Sequence, residues 1–448
     1  MKRFVLFVSA ILFLVAPALR AGMIQDELGG PDWLKYGADL RVREVGFDNI
    51  ITWNDDAKAD EQHFFRVRSR VYAQADPLEN LSAKIRFVNE WRYYMRHYSS
   101  TELKWDDDSY SHPLRHEIIM DNASVSLKNF FDLPLCLTAG RQDILFQYGE
   151  GFLLMDGTPK DGSRSFYVDG AILRLDSGPN RLDFLAFYNE ESQPFGIDIN
   201  DDYHQDDQPI ALYGLYWTNT SDLLTDQKIE GYYLFKNGRE RIWATLPENK
   251  IHVLGARFSG PVIDNLSYAA EATAQLGEYG DEDQRAYGGY LHATYKMPDC
   301  PMSTAFNLGA VYLSGDDPHT SAHEGWDPIL GRWPKWSELY IYSLLAEPVA
   351  GSGNHIAYWT NMQIYRAKVS AKPIDKMSVS LVYQYLMANE ANGSGAGKTR
   401  GQNPQVVVKY AFNDWLSAHL WGEYFIPGSY CSSDDPGFFA RWELMAKF

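Results

Sequence analysis

Three things are in short supply along this chain, and each shortage excludes a class of protein. Cysteine is scarce: Cys136, Cys300 and Cys431 are the only three in 448 residues, an odd number too small for a disulfide framework, so residual thiols are expected. Long apolar runs are missing after the first sixteen residues, so no later segment qualifies as a membrane-crossing helix. Basic residues are outnumbered by 59 acidic to 41, a net charge of -18, and no nucleic-acid partner is expected.

Aromatics, by contrast, are abundant, at 15% of residues with 29 Tyr and 13 Trp. The last twelve residues, Gly437-Phe-Phe-Ala-Arg-Trp-Glu-Leu-Met-Ala-Lys-Phe448, alternate without a break. Phe438, Ala440, Trp442, Leu444, Ala446 and Phe448 form an apolar face, and Phe439, Arg441, Glu443, Met445 and Lys447 form the other. A strand of that length ending on a terminal Phe suits an outer membrane, with one face to lipid and one to water. The amino terminus agrees. Met1-Lys2-Arg3, an apolar run from Phe4 to Ala16 and the exit Pro17-Ala-Leu-Arg-Ala21 have the order of a secretory signal peptide, with cleavage after Ala18 or Ala21. The expected organisation is a signal peptide over 1–21 and an outer-membrane β-barrel over 22–448. Only a closed barrel lets so polar a chain cross lipid with its backbone satisfied.

Alternation marks about eighteen strands. They fall near Trp33–Val45, Gln62–Ala75, Leu81–Tyr94, His116–Leu127, Pro134–Arg141, Phe166–Leu175, Arg181–Glu190, Pro209–Asn219 and Gln227–Lys236. The second half adds Lys250–Phe258, Leu266–Leu276, Gln284–Lys296, Met302–Ser314, His355–Ala371, Lys376–Met387, Asn403–Phe412, Trp415–Phe425 and the carboxy-terminal strand. Short turns such as 76–80, 177–180, 260–264, 298–301 and 373–375 alternate with long segments at 54–61, 96–115, 142–165, 191–208, 316–354 and 389–402. The fold class is therefore all-β: a transmembrane antiparallel barrel with periplasmic termini and long extracellular loops, in the outer membrane of a Gram-negative-type bacterium.

The acidic residues crowd the predicted loops, where solvation or bridging divalent cations accounts for them, and no EF-hand spacing marks a calcium site. The strands carry the opposite charge. Arg66, Arg68 and Arg70 alternate with Val67, Ser69 and Val71, so three guanidinium groups point one way; lipid would cost each about 2 to 4 kcal/mol at the midplane, and the lumen is the expected side. Lys35, Arg41 and Arg43 extend the patch on the preceding strand, as do Lys84, Arg86 and Arg92 on the following one. Later strands add Arg174, Arg257, Lys296, Arg366, Lys368, Lys409 and Arg441, with Asp39, Glu90, Glu230, Glu271, Glu423 and Glu443 as inward acids. Rings of Arg and Lys select anions, and arginine holds a carboxylate in a bidentate fork. The competing reading is a structural barrel in which these arginines only pair with lumenal acids.

Gly140-Arg-Gln-Asp143, Phe146-Gln-Tyr-Gly149, Asp156-Gly-Thr-Pro159, Asp161-Gly-Ser-Arg-Ser-Phe166 and Asp169-Gly-Ala171 together resemble the alginate export family of outer-membrane barrels. The sharp motif spans Gly140 to Ala171, and the layout covers most of the mature chain. The resemblance implies an eighteen-stranded barrel exporting an anionic uronate polymer, and it adds Arg141 and Arg164 to the substrate-binding candidates. Arg141 shares phase with Leu135, Leu137 and Ala139, so an inward direction needs a bulge or the strand's end. The partners expected are an anionic polysaccharide, outer-membrane lipid and a periplasmic secretion scaffold, around a monomer. An uptake porin for small carboxylated solutes or sugar acids is the alternative.

Enzyme-like signals do not hold. Asn392-Gly-Ser-Gly-Ala-Gly-Lys-Thr399 lacks the first P-loop glycine and meets Pro404 where a helix should run. His319 and His323 have an i, i+4 spacing without a helix to align them, and scattered carboxylates offer no hydrolase geometry. No cofactor, metal or catalytic residue is expected. The loop from Asp316 to Asn354, with Trp326, Trp333, Trp336, Tyr340 and Tyr342, is expected as a lid or sugar-stacking surface, or else as an aromatic cluster on the rim.

Overall fold

The computed structural model describes residues 30–50, 53–55, 62–95, 117–144, 146–154, 167–190, 209–220, 226–240, 247–331, 335–340, 359–391, 393 and 395–448. The strands are β1 (Leu34–Asp48), β2 (Gln62–Leu78), β3 (Leu81–Tyr94), β4 (Glu117–Lys128), β5 (Leu135–Gln142), β6 (Val168–Ser177), β7 (Asn180–Asn189), β8 (Ile210–Asn219), β9 (Lys228–Gly238) and β10 (Asn249–Ile263). They continue with β11 (Leu266–Tyr279), β12 (Glu282–Lys296), β13 (Ala305–Leu313), β14 (Ala322–His323), β15 (Met362–Ile374), β16 (Met377–Met387), β17 (Thr399–Ala411), β18 (Leu416–Pro427) and β19 (Gly437–Lys447).

Each barrel strand pairs antiparallel with the next, and β1 closes the ring on β19 from Asp39↔Lys447 to Asp48↔Phe438. The two-residue β14 lies in a loop and runs parallel to β12, which leaves an eighteen-stranded barrel. Closure removes both sheet edges, so the ladder has no unpaired rim strand to expose in the bilayer.

The side chains sort by face as the alternation requires. Leu254, Leu291, Leu308, Leu381 and Leu420 point outward and are more than half exposed, whereas Glu230, Gln275, Gln384 and Asn403 point inward and are fully buried. That distribution inverts a soluble protein: the apolar surface waits for lipid and the polar groups satisfy one another inside. On β19, outward Phe438 is 49% exposed and inward Phe439 1%, as the terminal alternation predicted.

Some boundaries differ from the sequence reading. The strand expected from His355 begins at Met362, because Asn361 takes a left-handed conformation (φ 51) that extended backbone cannot continue through. Residues 355–358 lie outside the described residues. β13 likewise starts at Ala305, after a turn in which Met302 and Ser303 have positive φ. β17 starts earlier than expected, at Thr399, inside the segment 389–402 read as loop. Cys136, Cys300 and Cys431 form no disulfide.

Gly140 and Gly170 face each other across β5 and β6 with φ of 112° and 152°. A Cβ at Gly140 would lie 2.2 Å from the Ala123 carbonyl oxygen, and one at Gly170 2.0 Å from that of Ala186. Gly140→Ala is therefore expected to destabilise the barrel by about 2 kcal/mol or more, read as a lower temperature for loss of the compact electrophoretic form; an unchanged transition would show that the backbone relaxes freely there.

Candidate functional site

Five arginines of β1 and β2 converge on three carboxylates. Arg70 and Arg68 reach Asp39 at 2.7 and 3.4 Å, Arg66 and Arg41 reach Glu90 at 2.7 and 3.2 Å, and Arg43 donates to Glu443 at 2.9 Å through Nε. Their phase within the strands turns them into the barrel, and all but Arg70 are nearly inaccessible. Arg86 forks onto Asp121 at 2.6 and 2.9 Å and also meets Asp143 at 2.6 Å. Asp121 is inward because β4 bulges there: Arg86 pairs with Asn122 and Phe87 with Met120, leaving Asp121 as the extra residue.

Around the ring the pairing continues. Arg174 forks onto Asp183, with both distances 2.8 Å, and Tyr148 donates to the same carboxylate. Arg257 binds Glu230 and, at 2.8 Å, Glu150, while Arg441 binds Glu338 at 3.0 Å. Arg141 forks onto Asp169 at 2.7 Å, donates to the Met120 carbonyl and stacks over Tyr167. At 1% exposure it cannot be on the lipid face, and the paired glycines 140 and 170 supply the strand irregularity its direction required. Lys35 sits at the periplasmic end, exposed and bound to Asp76, and Lys296 is exposed at the end of β12. Arg164 and the side chain of Arg92 lie outside the described residues.

Five of the expected cations have no acidic partner among the described residues: Lys84 on β3, Lys296 at the end of β12, Arg366 and Lys368 on β15, and Lys409 on β17. Arg366 keeps its Nε buried and without an acceptor, and Lys368 lies within electrostatic reach of Arg366 and Lys409. Arg366 and Lys368 line a cavity of about 330 Å³ together with His292, Asn307, Lys335 and Trp336, and with Glu150, whose carboxylate is taken up by His292 and Arg257. Three like charges held together without counter-ions are costly unless an anion joins them, so this wall is the part of the interior most able to take a carboxylate.

Two extracellular connections fold into the barrel, which the sequence did not foretell. Residues 146–154, from the β5–β6 connection, and 326–331 with 335–340, from the β13–β15 connection, meet inside it, where Leu330 donates to the Leu153 carbonyl and Trp326 stacks on Phe152 with ring centroids 5.2 Å apart. The second segment is fastened to strands around the ring. Asp327 binds Lys236 on β9 and exchanges bonds with Gln275 on β11; Glu423 on β18 accepts from Ser337 and the Glu338 amide; Gln384 and Gln405 both donate to the Trp336 carbonyl. Trp326, Trp336 and Tyr340 are buried inside the barrel, the Trp326 amide donating to Ser314 just past the extracellular end of β13 and the Tyr340 hydroxyl accepting from Arg400 near the start of β17; Trp333 and Tyr342 lie outside the described residues. His323, in β14, approaches Asp316 at 3.5 Å and stacks on Tyr279, so it is not aligned with His319 by a helix.

The two segments are joined through Glu150 and Lys335. Burial alone would raise the Glu150 carboxyl, but His292, Arg257 and Lys335 overcome it and hold it down to about 2. Burial pushes Lys335 down to about 8 against the pull of Glu150 and Glu271. Sequence reasoning missed Glu150, Lys335, Asp121, Asp169 and Asp183. For the Asp residues the signal was present, since each lies one strand away from an arginine, but only the register puts them opposite.

The model of the alginate export family matches residues 32–436. The chain belongs to this family. No curated protein matches the sequence. Among solved structures, the chain is similar to a BenF-like porin from Pseudomonas fluorescens Pf-5, with TM-score 0.60, 10% identity, and 94% of this chain and 100% of that one covered. It is also similar to OccAB4 of Acinetobacter baumannii, with TM-score 0.58, 12% identity and coverage of 93% and 98%. OpdK of Pseudomonas aeruginosa, solved with vanillate, gives TM-score 0.54, 10% identity and coverage of 92% and 98%. At these identities the likeness is one of fold. Family and fold together place the chain in the outer membrane of a Gram-negative bacterium as a porin-type channel.

Proposed function

We propose that the protein conducts an anionic polysaccharide of the alginate type, a uronate polymer, outward across the outer membrane. The observation that carries this reading is the group of Arg366, Lys368 and Lys409, cations without counter-ions among the described residues, on one wall of the interior. A polymer with one carboxylate per sugar passes such a wall by exchanging one ion pair for the next, and arginine's fork grips each carboxylate without a metal. The paired arginines, Arg41, Arg43, Arg66, Arg68, Arg70, Arg86, Arg141, Arg174, Arg257 and Arg441, form the flanking positive surface, and Lys84, Arg92 and Arg164 extend it. Residues 1–21 act as the export signal, the polymer arrives from a periplasmic scaffold, and one copy of the chain suffices because it closes its own barrel.

Planar-bilayer recording tests the reading. Anion-selective current blocked by oligouronates is expected, together with loss of extracellular polymer when the protein is deleted; cation selectivity would overturn it. Uptake of small carboxylated solutes is the second reading, favoured by the two segments packed across the interior and by the vanillate in the similar OpdK structure. It predicts a growth defect on a carboxylated nutrient with polymer output intact.

Lys335 gives the reading a pH signature. Its ammonium is lost as pH rises through about 8, so anion preference is expected to fall between pH 7 and 9. Lys335→Arg keeps the charge and should flatten that step; a wild-type profile constant over this range would show that Lys335 does not face the permeating ion.

A further inference from the structure

Glu44 and His63 form an ionisable pair on the outer face of the barrel, as do Lys250 with Glu278 and Arg285 with Asp283 at the extracellular strand ends. Glu44 alternates with inward Arg43 and Val45, so it points outward, where it accepts hydrogen bonds from His63 at 2.5 Å and from the Trp442 indole. Polar groups on a lipid-facing wall are rare and by default functional. Beside this pair lies a cavity of about 500 Å³, lined by Trp421, Arg441 and two rows of outward residues that cross five strands. The registers define the rows: Val408–Leu420–Trp442–Glu44 below, and Val406–Gly422–Ala440–Gly46–His63 above. The upper row is sunken because three consecutive members are Gly, Ala and Gly. Above it stand Tyr424 and Phe438, and below it Leu420 and Trp442, the first three at least 41% exposed.

Shape and depth decide what fits. Rows on one face of a sheet are about 7 Å apart and strands about 4.8 Å apart, so the trough is one row wide and about 19 Å long. A helix of about 10 to 12 Å diameter is too wide for it, and the convex wall of a second barrel is wider still. The trough also slopes. His63 is one residue below the extracellular start of β2, whereas Val406 is seven residues down β17, so its polar end is at the outer rim and its apolar end deep in the bilayer.

We propose that this trough binds one acyl chain of an outer-leaflet glycolipid, the hydroxyl- or amide-bearing end of the chain at the His63–Glu44 pair and the tail along Gly46, Ala440 and Gly422 to Val406. The second ring nitrogen of His63 supplies the hydrogen bond, while Glu44 fixes the ring. The site rests only on the outer-membrane placement and is independent of what the interior carries.

The test uses the full chain in detergent, stripped of lipid and then offered lipid A or a phosphatidylethanolamine of matched chain length, with retained lipid counted by native mass spectrometry. Retention of one lipid A per barrel, over phosphatidylethanolamine, is expected. Gly46→Leu fills the trough, and an added Cβ there meets no atom within 4 Å, so the barrel should fold as before while lipid A retention falls about tenfold, equivalent to about 1.4 kcal/mol. His63→Ala should abolish the preference for lipid A yet keep the electrophoretic heat shift of the folded barrel. Equal retention of the two lipids by the wild type, retention of neither, or undiminished lipid A on the folded Gly46→Leu variant would each overturn the site.

Discussion

Replacing Arg366 and Lys368 together with glutamine is expected to lower the anion-to-cation permeability ratio by roughly tenfold or more and to abolish block by oligouronates. The magnitude follows from Coulomb's law. A carboxylate about 4 Å from a cation gains about 1 kcal/mol in bulk water and about 4 kcal/mol at the effective dielectric of a protein surface, so two cations in a wet interior contribute at least about 2 kcal/mol. The fold should not suffer, because neither side chain has a counter-ion among the described residues to strand; Arg366 even holds a buried Nε without an acceptor there. The contrast is Arg66 and Arg68. Each shares an acid, the buried Glu90 or the half-buried Asp39, and its removal leaves that carboxylate undercompensated, which at the buried Glu90 costs about 3 to 5 kcal/mol. Glutamine at Arg66 is thus expected to lower thermal stability more than it alters selectivity. If the Arg366 and Lys368 double variant kept the wild-type permeability ratio and block, the β15 wall would not be where the anion binds.

The barrel was legible because its grammar is local. Period-two alternation survives any neighbour, so Phe438 and Phe439 declare their faces within the strand, and the count of about eighteen strands follows from turns rich in Gly, Pro, Asn and Asp. The family resemblance at Gly140–Ala171 was legible for the same reason. Direction of the arginines on β1 and β2 also follows from phase, because hydrocarbon excludes them, whereas that of Arg141 waits on the irregularity at Gly140 and Gly170. Their partners do not follow, because an ion pair across strands depends on register. The bulge at Asp121 shows how far this goes, since one unpaired residue turns an acid of the wrong phase toward Arg86. Least legible were the inward segments. A stretch with Trp326, Asp327, Trp336, Ser337 and Glu338 carries the same mixture of aromatic and polar residues as an external loop, and nothing local says that its polar groups will be satisfied by Gln275, Gln384 and Glu423 from strands far along the chain.

Replacing residues 326–340 with a short Gly–Ser linker should raise single-channel conductance several-fold while leaving the barrel assembled. Eighteen strands close around a space wide enough for an aqueous channel, and porins of about 16 to 18 strands conduct when that space is open. Here residues 326–331 and 335–340 lie across it, tied to β9, β11, β16, β17, β18 and β19 and stacked on Phe152 of the other inward segment. Removing them uncovers Lys236, Gln275, Gln384, Glu423 and Arg441, but water replaces the lost partners, and closure of the ladder does not depend on any of them. A smaller change separates obstruction from recognition. Glu338→Gln weakens the tie to Arg441 without removing bulk, so it should make the current noisier while its open level stays near that of the wild type. Because Arg366 and Lys368 remain in the linker variant, its wider pore should still prefer anions. A linker variant with unaltered conductance would mean that ions already bypass this segment, and the route through the barrel would have to run along the β12–β15 wall, past the cavity that His292, Asn307 and Arg366 line.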